Sequence, residues 1–132
     1  MNTLCLKPIF LLSCCLCTPV LAASAHWDAV LLTELGLYHF DPHSVRTQGK
    51  VKTFHTLLDY KTAQETAEGQ KYLSSQAEIQ LNCKSQSARI MHTSYYAAAM
   101  GAGKEVFREG SVREWMDVPK GSPIERIAHR IC

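Results

Sequence analysis

Within eleven residues the run Ser122-Pro-Ile-Glu-Arg-Ile-Ala-His-Arg-Ile-Cys132 carries a helix start, a buried face and a covalent tie. Ser122 stands where an N-cap hydroxyl accepts an orphan backbone N–H of the first turn, Pro123 suits the first helical position, and Glu125 completes a capping box. Ile124, Ile127, Ala128 and Ile131 recur at the i, i+3, i+4, i+7 spacing of one apolar stripe, with Glu125, Arg126, His129 and Arg130 on the other side. A short amphipathic helix is therefore expected to lie against a core. Cys132 falls eight positions after Ile124, near the inward stripe, where a disulfide would fasten this end of the chain.

The partner surface is legible upstream. From Tyr72 to Cys83, Leu73, Ser75, Ala77, Ile79, Leu81 and Cys83 point one way, and Ser74, Gln76, Glu78, Gln80 and Asn82 point the other. That sustained period of two predicts a strand with one wet face and one core face. It also puts Cys83 on the apolar face, where Cys132 arrives if the helix crosses the sheet.

Working outward, Lys84 to Ser87 reads as a turn, and Ala88 to Tyr96 as an antiparallel return strand. Ala97 to Gly103, small and glycine-containing, is expected to be a flexible loop. Glu105 to Arg108 and Val112 to Met116 are short edge-strand candidates, and Pro119-Lys120-Gly121 leads into the helix. Upstream, Trp27 to Leu32 and Leu37 to Phe40 read as a strand pair followed by a turn at Asp41-Pro42-His43-Ser44. Val51 to Tyr60 is rich in β-branched and aromatic residues and reads as a strand after a turn at Gly49-Lys50. Lys61 to Gln70 is expected to be an exposed loop, with a helix as the competing assignment. Strands in succession and then one helix predict an α+β domain: a small antiparallel β-sheet with a C-terminal α-helix packed on it and one disulfide.

At 132 residues, 46% hydrophobic and 20% charged, the sequence amounts to one globular domain. Residues 1–25 read as an export signal, with a lone charge at Lys7, an apolar run from Pro8 to Leu21, and small residues at Ala23 and Ala25. The run is shorter than the ~20 apolar residues of a spanning helix, so no membrane span is expected. Cleavage after Ala25 or Ala22 would leave a domain over 26–132. Leu11-Leu12-Ser13-Cys14 also resembles a lipobox, which makes Cys14 a second, lipidated start. Either route takes the chain out of the cytoplasm, to the periplasm or the cell surface, the latter as an outer-membrane lipoprotein if Cys14 is acylated.

Of six cysteines, Cys5, Cys14, Cys15 and Cys17 lie in this leader, leaving Cys83 and Cys132 for the domain. Two thiols in an oxidising compartment most simply form one structural bridge, worth about 4 kcal/mol for a loop of this size. The formal net charge of +2, lowered by one when Lys7 leaves with the leader, gives no basic footprint for nucleic acid.

Taken together, Trp27, Tyr38, Asp41-Pro42-x-Ser44-Val45-Arg46, Leu57-Leu58-Asp59-Tyr60, Ser75, Cys83, Arg89, Tyr95-Tyr96, Gly101-x-Gly103, Trp115, Pro119-x-Gly121-Ser122 and Cys132 form an ordered series. In that order they resemble the surface-adhesin protein E family of Gram-negative bacteria, across essentially the whole mature chain. The resemblance implies a sheet packed by a C-terminal helix and closed by the Cys83–Cys132 disulfide, with Trp27 and Trp115 as core aromatics. The family's namesake binds host extracellular-matrix proteins and haemin, so the resemblance implies a non-enzymatic, adhesin-like envelope protein, with a periplasmic haemin- or metal-binding carrier and a structural envelope protein without a host ligand as the alternatives.

Against that background the chemistry-bearing residues are few. Lys84, Arg89, Lys104 and Arg108 are the candidate ligand-binding residues, because a binding module would engage protein partners through a sheet face or the Lys84 to Arg108 region. His39, Asp41 and His43 form a local cluster of zinc- or copper-type ligands, but a strand followed by a Pro42 turn gives no reason for the side chains to converge. His92, Tyr95, Tyr96 and Met100 are the candidate axial ligands of a small-molecule carrier for haemin. No Cys-x-x-Cys-His attachment motif is present, and no bound cofactor or metal is expected. Gly101-Ala102-Gly103-Lys104 fails as a phosphate loop, since Ala98 stands where the first glycine belongs and Glu105 replaces the magnesium-binding hydroxyl. There is no Gly-x-Ser-x-Gly elbow, and no enzyme is expected.

Overall fold

Alternation of the kind seen from Tyr72 to Cys83 is carried through a seven-stranded antiparallel sheet in the computed structural model, which describes residues 25–110 and 112–132. Strands β1 (Asp28–Leu32), β2 (Gly36–Gln48), β3 (Val51–Glu65), β4 (Lys71–Asn82), β5 (Ser87–Tyr96) and β6 (Glu105–Glu109) pair in chain order. The short β7 (Met116–Asp117) pairs with the start of β5, at Ser87 and Ala88, and helix α1 spans Pro123–Ile131. Except for Ala25, the expected leader lies outside the described residues, and so does Cys14.

Helix α1 starts as its sequence dictates. The Ser122 hydroxyl accepts the Glu125 backbone N–H at 3.2 Å, while the Glu125 carboxylate accepts from Gly121 N, one residue before the expected capping-box partner, at 2.6 Å. Ile127 is fully buried, and Ile124, Ala128 and Ile131 pack beside it. They meet Val30 from β1, Phe40 from β2, Phe54 from β3, and Ile79 and Leu81 from β4. Phe40 and Phe54 meet edge to face at 6.3 Å, a favoured aromatic geometry. Cys83 and Cys132 are joined, with Cα atoms 5.6 Å apart and a sequence separation of 49.

Several expectations are corrected. Asp41 to Ser44 is no hairpin turn: β2 runs on to Gln48, and the register shifts between Asp41 and Arg46. A bulge accommodates Pro42, which cannot donate to a ladder. It is held by the Asp41 carboxylate, which accepts His43 N at 2.9 Å, and by the Ser44 hydroxyl, which accepts His55 N across the strands at 2.8 Å. The first half of the expected Lys61 to Gln70 loop is the end of β3, and only Thr66 to Gln70 turns. Ala97 to Gly103 is not a loose loop but holds a 3-10 turn, Ala99–Gly101, fixed from below by Ser74. The Ser74 hydroxyl donates to Ala98 O at 2.6 Å and accepts from Gly101 N at 2.8 Å. Gly101 adopts a φ of +71°, a left-handed conformation that favours glycine at this point of the turn. Ser74 is thus fully buried on the face expected to be wet. Val112 to Met116 yields only the two-residue β7. Trp115 is 38% exposed and Trp27 only half-buried, so neither is a core aromatic; Phe40 and Phe54 hold that place.

The fold has two unlike ends. At one, Cys83 N donates to Lys50 O at 3.0 Å and Val118 N to Gln86 O at 3.0 Å, so the β2–β3 and β4–β5 turns, the disulfide and the approach to α1 lie together. The other end holds the β3–β4 turn and the β5–β6 connection, and α1 does not cover it.

Candidate binding surface

The four cations singled out from sequence do not form one cluster. Lys84 sits exposed in the β4–β5 turn at the disulfide end, its backbone N–H bonded to the Asn82 side chain at 3.0 Å. Arg89, two residues into β5, donates to Gln80 Oε1 at 2.9 Å and lies 4.6 Å over the Trp115 ring. Lys104 and Arg108 are exposed at the far end. Arg108 binds Glu105 through two nitrogens at 3.0 and 2.9 Å, and this guanidinium holds the Glu105 carboxyl below its ordinary value. The four residues therefore run along the β5–β6 edge of the sheet, from one end to the other.

The proposed metal and haem ligands separate. His39 is buried opposite Leu57, and its Nδ1 has no hydrogen-bond partner. Asp41 is buried too, bonded to His43 N, whereas the His43 ring is exposed, 5.4 Å from His26. Among the described residues no three His, Cys, Asp or Glu side chains are placed to hold a metal ion. His92 faces Glu78 across the β4–β5 ladder, on the sheet face where Glu78 also takes Arg46 at 3.1 Å and His55 at 3.3 Å. Tyr95, three residues on, falls on the opposite face, and Met100 is exposed on the 3-10 turn. The Gly101 N–H is already given to Ser74, so the glycine pair offers no phosphate cradle there.

What sequence reasoning missed is an aromatic ladder at the end that α1 leaves open. Tyr60 of β3, Tyr72 of β4, Tyr95 of β5 and Phe107 of β6 stand side by side across four strands. Their centroids are 5.4, 4.9 and 5.8 Å apart in succession. Register makes this row: Tyr95 pairs with Ser75 on one side and Phe107 on the other, and the Tyr60 hydroxyl bonds Ser75 at 3.1 Å. Burial among the rings, then the nearby Glu109 carboxylate, push the Tyr95 phenol up to about 12. Tyr72 is raised for the same first reason. The Tyr95-Tyr96 pair was a partial signal. Locating its neighbours required the β3–β4 irregularity between Asp59 and Gln64, which brings Tyr72 opposite Gln64.

A second opening lies between β5, β7 and the start of α1. It is a cleft of about 290 Å³ walled by Ile79, Ala88, Ile90, Met116 and Ile124. No helix among the described residues is long and apolar enough to cross a membrane.

A single antiparallel sheet latched to a C-terminal helix by a disulfide defines a small α+β domain. The chain belongs to the surface-adhesin protein E family, whose model matches residues 27–132. Its fold is similar to that of Haemophilus influenzae protein E in two crystal structures. One has a TM-score of 0.63 at 14% identity, covering 87% of this chain and 89% of that one. The second crystal form has a TM-score of 0.65 at 14% identity, covering 87% and 93%. Protein E from a non-typeable strain of that species gives 0.61 at 14% identity, with 87% and 80% covered. At this identity the likeness carries the fold. No curated protein matches the chain in sequence.

Proposed function

We propose that this protein is an exported, non-enzymatic binding module of the bacterial envelope that engages protein partners, such as host extracellular-matrix proteins, through its β5–β6 edge. The observation that carries this reading is the family match over residues 27–132, the part left after the proposed 1–25 leader. The edge from Lys84 to Arg108 adds to it: three of its four cations are exposed and Arg89 is half-buried. Exposed polar and aromatic side chains on a rigid sheet are the usual material of a recognition surface. In the proposed life cycle the leader is removed after Ala25 or Ala22, or Cys14 is acylated and tethers the domain.

The test is binding to immobilised extracellular-matrix proteins. Alanine at Lys84, Arg89, Lys104 and Arg108 together is expected to weaken it about tenfold or more while the protein stays folded at the assay temperature. Unchanged binding removes this edge from the account.

A further inference from the structure

Beside the aromatic ladder, the β3–β4 turn and β6 enclose a recess of about 310 Å³. Tyr72, Tyr95 and Phe107 line it together with two acidic residues, Glu68 and Glu109, and the small residues Thr66 and Ala67 of the turn. Phe107 is 42% exposed and stands at the end of the ring row, so the apolar surface of the ladder reaches solvent there.

We propose that this recess takes a cationic side chain, lysine or arginine, presented by an extended segment of a protein partner. With the binding-module reading as its premise, the site supplies the chemistry by which a partner is chosen. Aromatic faces attract a cation through their negative quadrupole, and the attraction grows as water is excluded. Two carboxylates among its lining residues add charge complementarity. They also disfavour the other occupants: an anion would meet Glu68 and Glu109 directly, and an aliphatic chain would strip water from both without replacing it. Glu109 already accepts a guanidinium from solvent, since Arg113 of this chain reaches it at 3.3 Å from a side chain 60% exposed. That pair is of the exposed kind that contributes little, so a partner's cation can share or replace it. Tyr95, its phenol pushed up first by burial and then by Glu109, stays neutral through the physiological range, so the recess wall adds no second anion beside that carboxylate.

The probe is an end-capped hexapeptide of alternating glycine and arginine, titrated into the oxidised, isotope-labelled protein and followed by amide NMR. Its counterpart alternates glycine and glutamate. The arginine peptide is expected to shift Glu68, Tyr72, Tyr95, Phe107 and Glu109, and the glutamate peptide to leave them in place. Phe107→Ala, whose melting temperature serves as the folding check, is expected to weaken the arginine peptide about tenfold, and Glu68→Gln about threefold. Shifts confined to another surface, equal binding of both peptides, or full affinity in Phe107→Ala would overturn the site. Displacement of the peptide by phosphatidylcholine vesicles would overturn it too, by giving the recess to a lipid headgroup. If matrix proteins bind but the peptide does not, this site alone is lost; if neither binds, the binding-module reading is lost with it.

Discussion

The two ends of the sheet use the same kind of residue for different purposes. At the disulfide end, Phe40 and Phe54 are sealed beneath α1, at 2% and 0% exposure, with Ile127 pressed between helix and sheet. At the other end, Tyr60, Tyr72, Tyr95 and Phe107 form an equally continuous aromatic row that helix α1 does not cover, its rings half-buried against one another and Phe107 exposed at its end. The first arrangement lowers the free energy of the folded chain; the second leaves apolar and π surface in reach of another molecule. The sheet is thus longer than its own core requires, and the surplus is the surface on which the proposed partner is expected to act.

If the division is right, substitutions at the covered end cost stability in proportion to what they remove. Phe54→Ala has the largest expected effect, about 3 to 5 kcal/mol, measured by denaturant unfolding. A loss under about 1 kcal/mol would mean that the helix does not seal this core. Cys132→Ala follows, with a loss of about 2 to 5 kcal/mol under oxidising conditions. An unchanged melting temperature would show α1 docked without its tie, and the latch would drop out of the comparison.

At the open end the sharpest probe is ionisation rather than unfolding. Tyr95 has a folded pKa of about 12 against an ordinary 10.0, raised first by burial and then by Glu109. Because the folded value lies above the unfolded one, its contribution to stability is complete below about pH 10 and is lost as pH rises toward about 12. A tyrosinate absorbance titration of the native protein is expected to contain a component near 12 that Tyr95→Phe removes. A Tyr95 component near 10 would mean that the ladder is open to water rather than packed.

The covered end was readable in the sequence because its signals are local. The Ser122 cap, the Ile124–Ile131 stripe and the Tyr72–Cys83 alternation each lie within about a dozen residues, and together they placed the Cys83–Cys132 bridge correctly. The open end depends on registers between strands distant in sequence, which local periodicity does not encode. Tyr60, Tyr72, Tyr95 and Phe107 become one row only once the irregularities in the β3–β4 and β5–β6 pairings are known. The misplacement of Trp115 has a similar cause. The resemblance implied a core position, but Trp115 lies just before β7 at the rim, where Arg89 covers one face of the indole. Pro42 misled for the opposite reason, since a strong local turn signal was absorbed by a bulge stitched to β3 through Ser44.

The most direct measurement sets the ends against each other in one assay, recording melting temperature and extracellular-matrix binding for Phe107→Ala with Arg108→Ala, and for Ser122→Ala. The open-end pair is expected to lose binding at an unchanged melting temperature. Ser122→Ala, which removes a cap worth about 1 kcal/mol, is expected to melt earlier yet bind normally while folded. An open-end pair that binds as well as the parent protein would contradict the claim that this end is the working surface.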